Sequence, residues 1–380
     1  MTKKSVLLPF ILIFSLFSEL ALAQPNSTPL RIFYATDRLN DETRPGTPPH
    51  YAADRDRDLV HLGVWDLNVS SKCKILPTKT ENAFRDRRKE RENDQASDGF
   101  SFSQPSELQK TVFYNDLKKE LQLKKEILLF VHGYDNNFQS TFETITRLAQ
   151  GTEFEFIPIV FSWVSEGRIG FYGVDETNEK WSSVHLKDLL IELVQQLPST
   201  KIHILAHSMG TRVLTDALTD LSKVGPGFPL FGHVILAAAD IDAGVLGHEA
   251  KDLNHIAEKV TVYSAQNDVL LRLSSNKHGY PRAGDLSLKV VPYEGFDLID
   301  ASDVNRSITG HDYFSRSPEV LKDIYALLKN NRSTRVLDKT KLELSEGTAY
   351  EYWKLPLPPG ASPRNPFKPG GFRKQRTGEE

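Results

Sequence analysis

The sequence has little sulfur, no long apolar run and no large excess of charge of either sign. Its 380 residues include two methionines and a single cysteine, Cys73, so no intramolecular disulfide can form. The 47 Lys and Arg residues nearly balance the 50 Asp and Glu residues, which gives a formal net charge of −3. Because nucleic-acid binding usually needs a strongly basic face, no nucleic-acid partner is expected. The content of 39% hydrophobic and 26% charged residues is typical of a globular protein.

The first 23 residues have the pattern of a secretory signal peptide. Lys3 and Lys4 precede an apolar run over residues 6–17, and Ala21-Leu22-Ala23 supplies a small-x-small cleavage pattern. The run is shorter than the roughly 20 apolar residues of a membrane-spanning helix. We therefore expect cleavage after Ala23, export to the periplasm or the extracellular space, and no stable membrane span in the mature chain. The next residue is glutamine rather than cysteine, so no lipoprotein anchor is expected.

Shifts in composition divide the mature chain into four parts. We predict edge strands of the main domain in residues 24–78, a charged insertion or linker in 79–120, the core in 121–335, and a C-terminal extension in 336–380. The extension is rich in Pro and Gly, and we expect disorder from about residue 356. The part after about Leu355 also carries five basic residues, Arg364, Lys368, Arg373, Lys374 and Arg376. Contact of these basic residues with an anionic surface is the alternative to a simple disordered tail.

Short apolar runs alternate with amphipathic helical patterns through most of the core. We predict strands at Ile127–Val131, Ile157–Phe161, Ile202–Ala206, Val234–Ala238, Val260–Tyr263 and Leu288–Val291. Apolar stripes with a period near 3.6 residues predict helices around 138–149, 186–197, 209–221 and 320–328. This alternation is typical of a mostly parallel sheet covered by helices on both faces. The predicted fold is therefore a doubly wound α/β domain, with upstream strands Leu30–Ala35 and Val60–Val69 at one edge.

The strongest local motif is Ala206-His207-Ser208-Met209-Gly210, which joins a predicted strand to a predicted helix. A serine at such a turn sits on a strained bend with its hydroxyl raised above the sheet, and small flanking residues let strand and helix approach closely. The helix N-terminus adds free N–H groups and partial positive charge. Ser208 is therefore the candidate nucleophile. The alternative is a serine that simply caps an ordinary helix.

A nucleophilic serine needs donors for the oxyanion and a general base. The turn His132-Gly133-Tyr134 follows an earlier strand, and we expect the N–H of Tyr134 to form the oxyanion hole with the N–H of Met209. His132 itself is interpreted as a structural turn residue. The base should come late in the chain, near the carboxyl ends of the strands, which favours His311. His207 is expected to point away from Ser208.

Two carboxylates remain candidates for the acid that orients His311. Asp268 follows the second predicted strand after Ser208, and Asp240 follows the first. Asp242 is a weaker choice. All three keep the chain order of serine, acid and histidine.

These motifs resemble those of α/β-hydrolases and, more narrowly, those of the esterase/lipase-like family known as domain of unknown function 900. The matching segments are 33–38 (FYATDR), 131–136 (VHGYDN), 161–163 (FSW), 205–210 (LAHSMG), 238–242 (AADID), 264–268 (SAQND) and 310–314 (GHDYF). The resemblance implies an α/β-hydrolase-type fold and a Ser-His-Asp triad. In chains of this type the acid usually follows the later strand, which favours Asp268 over Asp240. It implies little about the substrate.

The stretch from Trp163 to Trp181 is rich in aromatic residues and also contains Phe171 and Tyr172. It is interpreted either as a lid or acyl-binding wall beside the site, or as a long surface loop whose aromatics pack on the core. The sequence has no His-Glu-x-x-His motif, Cys cluster or Asp-rich loop, so no metal site is expected.

The sequence thus predicts an exported serine hydrolase that cleaves small carboxylic esters through an acyl-enzyme, with thioesters or amides as alternative substrates. No cofactor is needed for this chemistry. A peroxidase or transferase use of the same triad remains open. The alternative from another class is a non-catalytic exported binding protein on a hydrolase scaffold.

Overall fold

The computed structural model of the protein describes residues 27–41, 48–57, 59–70, 100–224, 229–288, 290–305, 309–329, 337–343, 349–357 and 360. The strands are β1 Ser27–Thr36, β2 Arg38–Asn40, β3 Tyr51–Arg55, β4 His61–Ser70, β5 Phe100–Phe102, β6 Ser106–Glu107, β7 Glu126–Val131, β8 Ile157–Ser162, β9 Lys201–His207, β10 Phe231–Ala237, β11 Ala257–Ser264, β12 Asp297–Asp300, β13 Asp338–Glu343 and β14 Ala349–Lys354. The helices are α1 Lys110–Glu120, α2 Phe138–Gly151, α3 Tyr172–Gln196, α4 Gly210–Ser222, α5 Ala243–Ile256, α6 Val269–His278, α7 Tyr313–Arg316 and α8 Pro318–Leu328. The predicted signal peptide, Cys73, residues 79–99 of the charged insertion and the basic tail lie outside the described residues.

The main sheet has the strand order β13-β14-β12-β11-β10-β9-β7-β8-β1-β4-β5, and β6 also pairs with β4. The eight strands from β14 to β1 are parallel to their neighbours, whereas β13 and β4 pair antiparallel at the two sides. Strands β2 and β3 form a separate hairpin. The mostly parallel sheet predicted from the sequence is confirmed.

Alternate side chains of the sheet enter two different cores, as the period of a β-strand requires. Ile127, Leu129 and Val131 of β7 pack in the same core as the apolar faces of α1, α3, α4 and α5. Leu128 and Phe130 of the same strand pack in the other core, with α2 and α8. Because both faces are covered, the inner strands are apolar along their whole length, and this explains why their runs were readable in the sequence.

The direction of winding reverses at β7. The chain passes from β7 to β8 on one side, and then crosses to β9 on the other side of β7. In open α/β sheets, ligands bind outside the carboxyl ends of the strands at such a reversal. The register pairs Val131 of β7 with Ala206 of β9, so the turns that follow these two strands are neighbours in space.

The predicted strand at Leu288–Val291 is wrong. The described residues of this run form no strand, and the next strand is β12, Asp297–Asp300. Leu288 is 53% exposed, and Pro292, directly after the run, lacks the N–H that a central strand must donate. β12 escaped notice because acidic residues occupy both of its ends.

Some boundaries predicted from composition also differ in the structure. Residues 100–120, assigned to a charged insertion, form β5, β6 and α1, and Phe113 and Leu117 of α1 are fully buried. In the predicted C-terminal extension, β13 and β14 continue the main sheet. β1 and β4 lie next to each other on one side of the sheet, where β1 pairs with β8 and β4 pairs with β5 and β6. Across the described residues, no helix has both the length and the apolar character that a membrane crossing requires.

Candidate active site

Ser208 lies between β9 and α4 in a backbone conformation that residues other than glycine rarely adopt. Its φ angle is 52°, in the left-handed region where a residue other than glycine is strained. Backbone hydrogen bonds hold this conformation, from Ser208 N to Ala237 O at 3.0 Å and from Asp240 N to Ser208 O at 3.2 Å. Strain at a strand-to-helix turn is the geometry expected of a nucleophile turn.

Two glycines allow the turns after β7 and β9 to touch. A Cβ atom on Gly210 would lie 2.1 Å from the carbonyl oxygen of His132, and one on Gly133 would lie 2.7 Å from Cβ of Ser208. Both distances are far below van der Waals contact, so only glycine fits at either position. The close approach brings the backbone of Tyr134 beside the Ser208 turn.

The backbone N–H groups of Tyr134 and Met209 have no recorded hydrogen-bond acceptor in the described part of the chain. Buried amides usually find a partner, and Met209 has no exposed surface. Two unpaired N–H groups on adjoining turns are the arrangement required to stabilise an oxyanion.

Of the two candidate acids, Asp268 is the one that forms a hydrogen bond with His311. The Nδ1 atom of His311 lies 2.7 Å from Oδ2 of Asp268, and Oδ1 of Asp268 accepts from the N–H of Leu271 at 3.0 Å. Asp268 is the N-cap residue of α6, which fixes its side chain. Both residues are buried. Asp240 contacts other side chains, described below.

Asp268 stabilises the protonated form of His311 through its charge and its hydrogen bond. Burial lowers the pKa of His311, but the charge of Asp268 and the hydrogen bond to it more than offset burial, so that the pKa is raised above its usual value. Burial raises the pKa of Asp268, against the opposing effect of His311. Such a pair keeps Nδ1 protonated and leaves Nε2 able to accept a proton.

The loop that carries His311 is tied to the loop that carries Asp268 by residues that the sequence reasoning missed. The Asn305 side chain donates to Gly310 O at 2.6 Å and to Asn267 Oδ1 at 3.0 Å. Gly310 has a φ angle of 70°, and a Cβ on it would lie 2.1 Å from Asn267 O. The Asn267 of the SAQND segment was the available sequence signal, but its partner is 38 residues away.

His207, which was expected to point away from Ser208, contacts His311 and Phe314. Its ring centroid lies 4.6 Å from that of His311 and 4.3 Å from that of Phe314, and its Nε2 lies 3.2 Å from His311 O. Burial, with the nearby charge of His311, lowers the pKa of His207 to about 3. The neutral imidazole of His207 therefore packs between the serine turn and the loop that carries His311, and it supports both.

The turn after β7 is stabilised by contacts with His132, Trp163 and Arg38. The rings of His132 and Trp163 stack at 5.1 Å, and Trp163 Nε1 donates to His132 O at 2.6 Å. Burial lowers the pKa of His132 to about 3. The buried guanidinium of Arg38 donates to the carbonyls of Asn136 and Ser165, both at 2.9 Å. These contacts fix the loop beside Tyr134.

The aromatic stretch 163–181 is not one surface loop, because α3 begins at Tyr172. Trp163 has no exposed surface, so it supports the turn and contacts nothing outside the protein. Trp181 packs against Arg55 and His185. Phe171 is 41% exposed, and Tyr172 packs edge-on against Tyr134 at 5.2 Å. Of the four aromatics, Phe171 and Tyr172 are therefore the pair with surface available beside the site.

Asp240, the alternative acid, is the centre of a separate polar network. Its Oδ2 accepts from the Tyr172 hydroxyl and its Oδ1 from the Ser274 hydroxyl, both at 2.5 Å. Arg212 donates from Nε to the Asp240 carbonyl at 2.5 Å and from Nη2 to the Tyr172 hydroxyl at 2.7 Å. Among the described residues, no group of three His, Cys, Asp or Glu side chains is arranged to hold a metal ion.

The protein has a strained serine turn directly after a central strand of a doubly wound, mostly parallel sheet. This combination defines an α/β hydrolase. The chain belongs to the family described as α/β hydrolases of unknown function (DUF900), which matches residues 106–332. An uncharacterized protein of Nostoc sp. is 27% identical over 200 residues, which are 45% of this chain and 50% of the relative. The chain thus matches half the length of that curated relative.

Two solved structures that match part of this chain share little sequence with it. Phospholipase PlaB from Legionella pneumophila, in complex with thio-NAD, is 14% identical with a TM-score of 0.31, covering 60% of this chain and 67% of its own. A gene product of Listeria innocua is 12% identical with a TM-score of 0.35, covering 59% of this chain and 97% of its own.

Proposed function

We propose that this α/β hydrolase is a serine hydrolase that cleaves small carboxylic esters, with thioesters or amides as alternative substrates. Ser208 is the nucleophile, His311 the general base and acid, and Asp268 the residue that orients His311. The observation that carries the proposal is the buried hydrogen bond of 2.7 Å between His311 Nδ1 and Asp268 Oδ2, beside a serine strained at a φ of 52°.

The reaction follows from these positions. Oγ of Ser208 attacks the ester carbonyl while Nε2 of His311 accepts its proton, and the N–H groups of Tyr134 and Met209 stabilise the oxyanion. His311 then donates the proton to the departing alcohol. Water next attacks the acyl carbon while His311 accepts its proton, and this proton passes to Oγ of Ser208 as the acid leaves. No cofactor takes part.

Ser208 and His311 are not hydrogen-bonded to each other in the described residues. Catalytic hydrogen bonds are often long in the absence of substrate and shorten in the reacting complex. Substrate binding would therefore complete the contact between Oγ and Nε2. The signal-peptide pattern of residues 1–23 supports the further proposal that the enzyme acts after export.

The decisive experiment is labelling of the purified mature protein with a fluorophosphonate probe, together with hydrolysis of short p-nitrophenyl esters. We expect the wild type to be labelled and active, and Ser208→Ala to lose both properties. Ser199→Ala, a change at an exposed serine in the turn after α3, is the matched control and should behave as the wild type. Undiminished labelling of Ser208→Ala would disprove the assignment. An unlabelled, inactive wild type would instead favour a non-catalytic binding protein.

A further inference from the structure

Arg282 is a buried arginine with an ion pair to Asp240 but without a hydrogen-bond acceptor for its Nε–H. The residue is only 5% exposed, and its Nε has no hydrogen-bond partner. In the described part of the chain its guanidinium donates to no protein acceptor, and the carboxylate oxygen that faces it, Asp240 Oδ1, is 3.6 Å from Nε. A buried charge left without hydrogen bonds is costly, so such an arrangement calls for an acceptor from outside the protein.

Asp240 cannot fully satisfy Arg282, because its carboxylate is already occupied. The hydroxyls of Tyr172 and Ser274 donate to its two oxygens, and Nη2 of Arg212 lies 3.4 Å from Oδ1. Arg212 has other partners, among them Glu176 at 3.2 Å. One carboxylate is thus shared between two guanidinium groups, and Arg282 is the one that lacks hydrogen bonds.

The two carboxylates that pair with the cations around Arg282 are shared among several partners. Arg212, Arg282 and Lys277 supply the cations, and Asp240 and Glu176 are the carboxylates paired with them. Although burial opposes it, hydrogen bonds from His278, Lys277 and Arg212 lower the pKa of Glu176 to about 2. Glu176 is therefore ionised at neutral pH, and its charge is already shared among these three partners.

This cluster directly adjoins the candidate active site. The N–H of Asp240 bonds to Ser208 O at 3.2 Å, and the Tyr172 ring packs on that of Tyr134. The backbone that carries Arg282 is fixed as well, since Ala283 N donates to Ile241 O at 2.9 Å. A ligand group held by Arg282 would lie beside the ester that Ser208 is proposed to attack.

We propose that the substrate of Ser208 carries a negatively charged oxygen group, a carboxylate or a phosphate, which binds to the guanidinium of Arg282. This inference rests on the proposed function. A guanidinium is planar and presents paired N–H donors that match the oxygens of a carboxylate or phosphate. The carboxylate of Asp240 orients the guanidinium of Arg282 without accepting a hydrogen bond from it. The guanidinium is therefore held in place, with its N–H donors free, before the ligand binds.

The test compares pairs of esters that differ in charge. One pair is p-nitrophenyl butyrate and the p-nitrophenyl monoester of glutarate, and the other is a monoacylglycerol and its 3-phosphate. We expect the wild type to prefer the charged member of at least one pair by roughly 10- to 100-fold in kcat/KM. The pair that shows the preference identifies the group as a carboxylate or a phosphate.

Arg282→Met should abolish this preference while leaving hydrolysis of the neutral esters nearly unchanged, and Arg282→Lys should retain part of it. Arg31→Met, which removes a positive charge from an exposed pair with Asp66, is the matched control and should keep the preference. Equal losses on charged and neutral esters in Arg282→Met would assign Arg282 a structural role and overturn the inference.

A second measurement needs no variant. Glutarate or inorganic phosphate should inhibit wild-type hydrolysis of p-nitrophenyl butyrate competitively, and lack of inhibition by both, with no preference in either ester pair, would overturn the inference. Hydrolysis of the neutral ester separates the two proposals. If it proceeds without any effect of charge, the proposed function stands and the anion site does not. If no ester is cleaved and Ser208 is not labelled, it is the proposed function that fails.

Discussion

Replacing Asp268 by asparagine tests the proposed role of His311 without changing the size of the side chain. The carboxylate accepts one hydrogen bond from His311 Nδ1 at 2.7 Å and another from Leu271 N at 3.0 Å. Because the N–H of Leu271 can only donate, the asparagine oxygen must stay on it, and the NH2 group then faces His311. Nδ1 would have to become the acceptor, which moves the imidazole proton to Nε2. His311 could then no longer accept the proton of Ser208.

The expected loss in kcat is about 10³- to 10⁴-fold, or about 4–5.5 kcal/mol in the activation barrier. A second effect follows from charge. Since Asp268 raises the pKa of His311 against the effect of burial, removing its charge should lower that pKa. The base must be neutral to act, so the acidic limb of the kcat/KM profile should move to lower pH in the variant.

The assay is the pH dependence of kcat/KM for p-nitrophenyl butyrate, measured on the wild type and on Asp268→Asn. Asp240→Asn is the comparison, because it changes the alternative acid while the hydrogen bond between His311 and Asp268 stays in place. It should retain much more activity than Asp268→Asn. The reasoning would be refuted if Asp268→Asn kept more than about a tenth of the wild-type kcat, or if Asp240→Asn were the more damaged of the two.

Two further predictions concern stability. Gly210→Ala should lower the free energy of unfolding by about 2–3 kcal/mol, because the new Cβ would lie 2.1 Å from His132 O. Gly247→Ala is the control: a Cβ there would have no atom within 4 Å, so this change should stabilise α5 by about 0.5–1 kcal/mol. Equal effects of the two changes in urea denaturation would contradict this prediction. Burial raises the pKa of Glu179 to about 7, so the native state keeps a proton that the unfolded chain loses, and stability should fall as pH rises from about 4.5 to 7. Glu179→Gln should therefore raise the free energy of unfolding by roughly 1–3 kcal/mol at pH 8 and change it little at pH 4, and an equal effect at both would exclude Glu179 as the cause.

Local sequence was sufficient where a feature is encoded by neighbouring residues. The inner strands β7 to β11 are readable because burial on both faces makes them apolar throughout. Ser208 stands out because its turn requires small residues within two positions on either side. β12 was missed because acidic residues at both ends shorten its apolar pattern to two positions.

Features that depend on distant contacts could not be predicted from the sequence. Asp240 and Asp268 follow adjacent strands at the same edge of the sheet, so chain order alone left both open, and only the contact with His311 at 2.7 Å distinguishes Asp268. Arg282 reaches the site through a bridge that pairs it with Asp242, 40 residues earlier in the chain. No periodicity or motif encodes such a pairing.

The hairpin of β13 and β14 has a practical consequence for producing this protein. The family match ends at residue 332. Yet β14 pairs with β12 beyond that point, at Ile299–Trp353 and Asp300–Lys354, and Leu355, just after β14, is buried. A fragment cut at the end of the family match would leave one side of β12 bare. Open strand edges recruit other chains and aggregate. We therefore expect a fragment that ends at residue 332 to aggregate more than one that extends past Leu355.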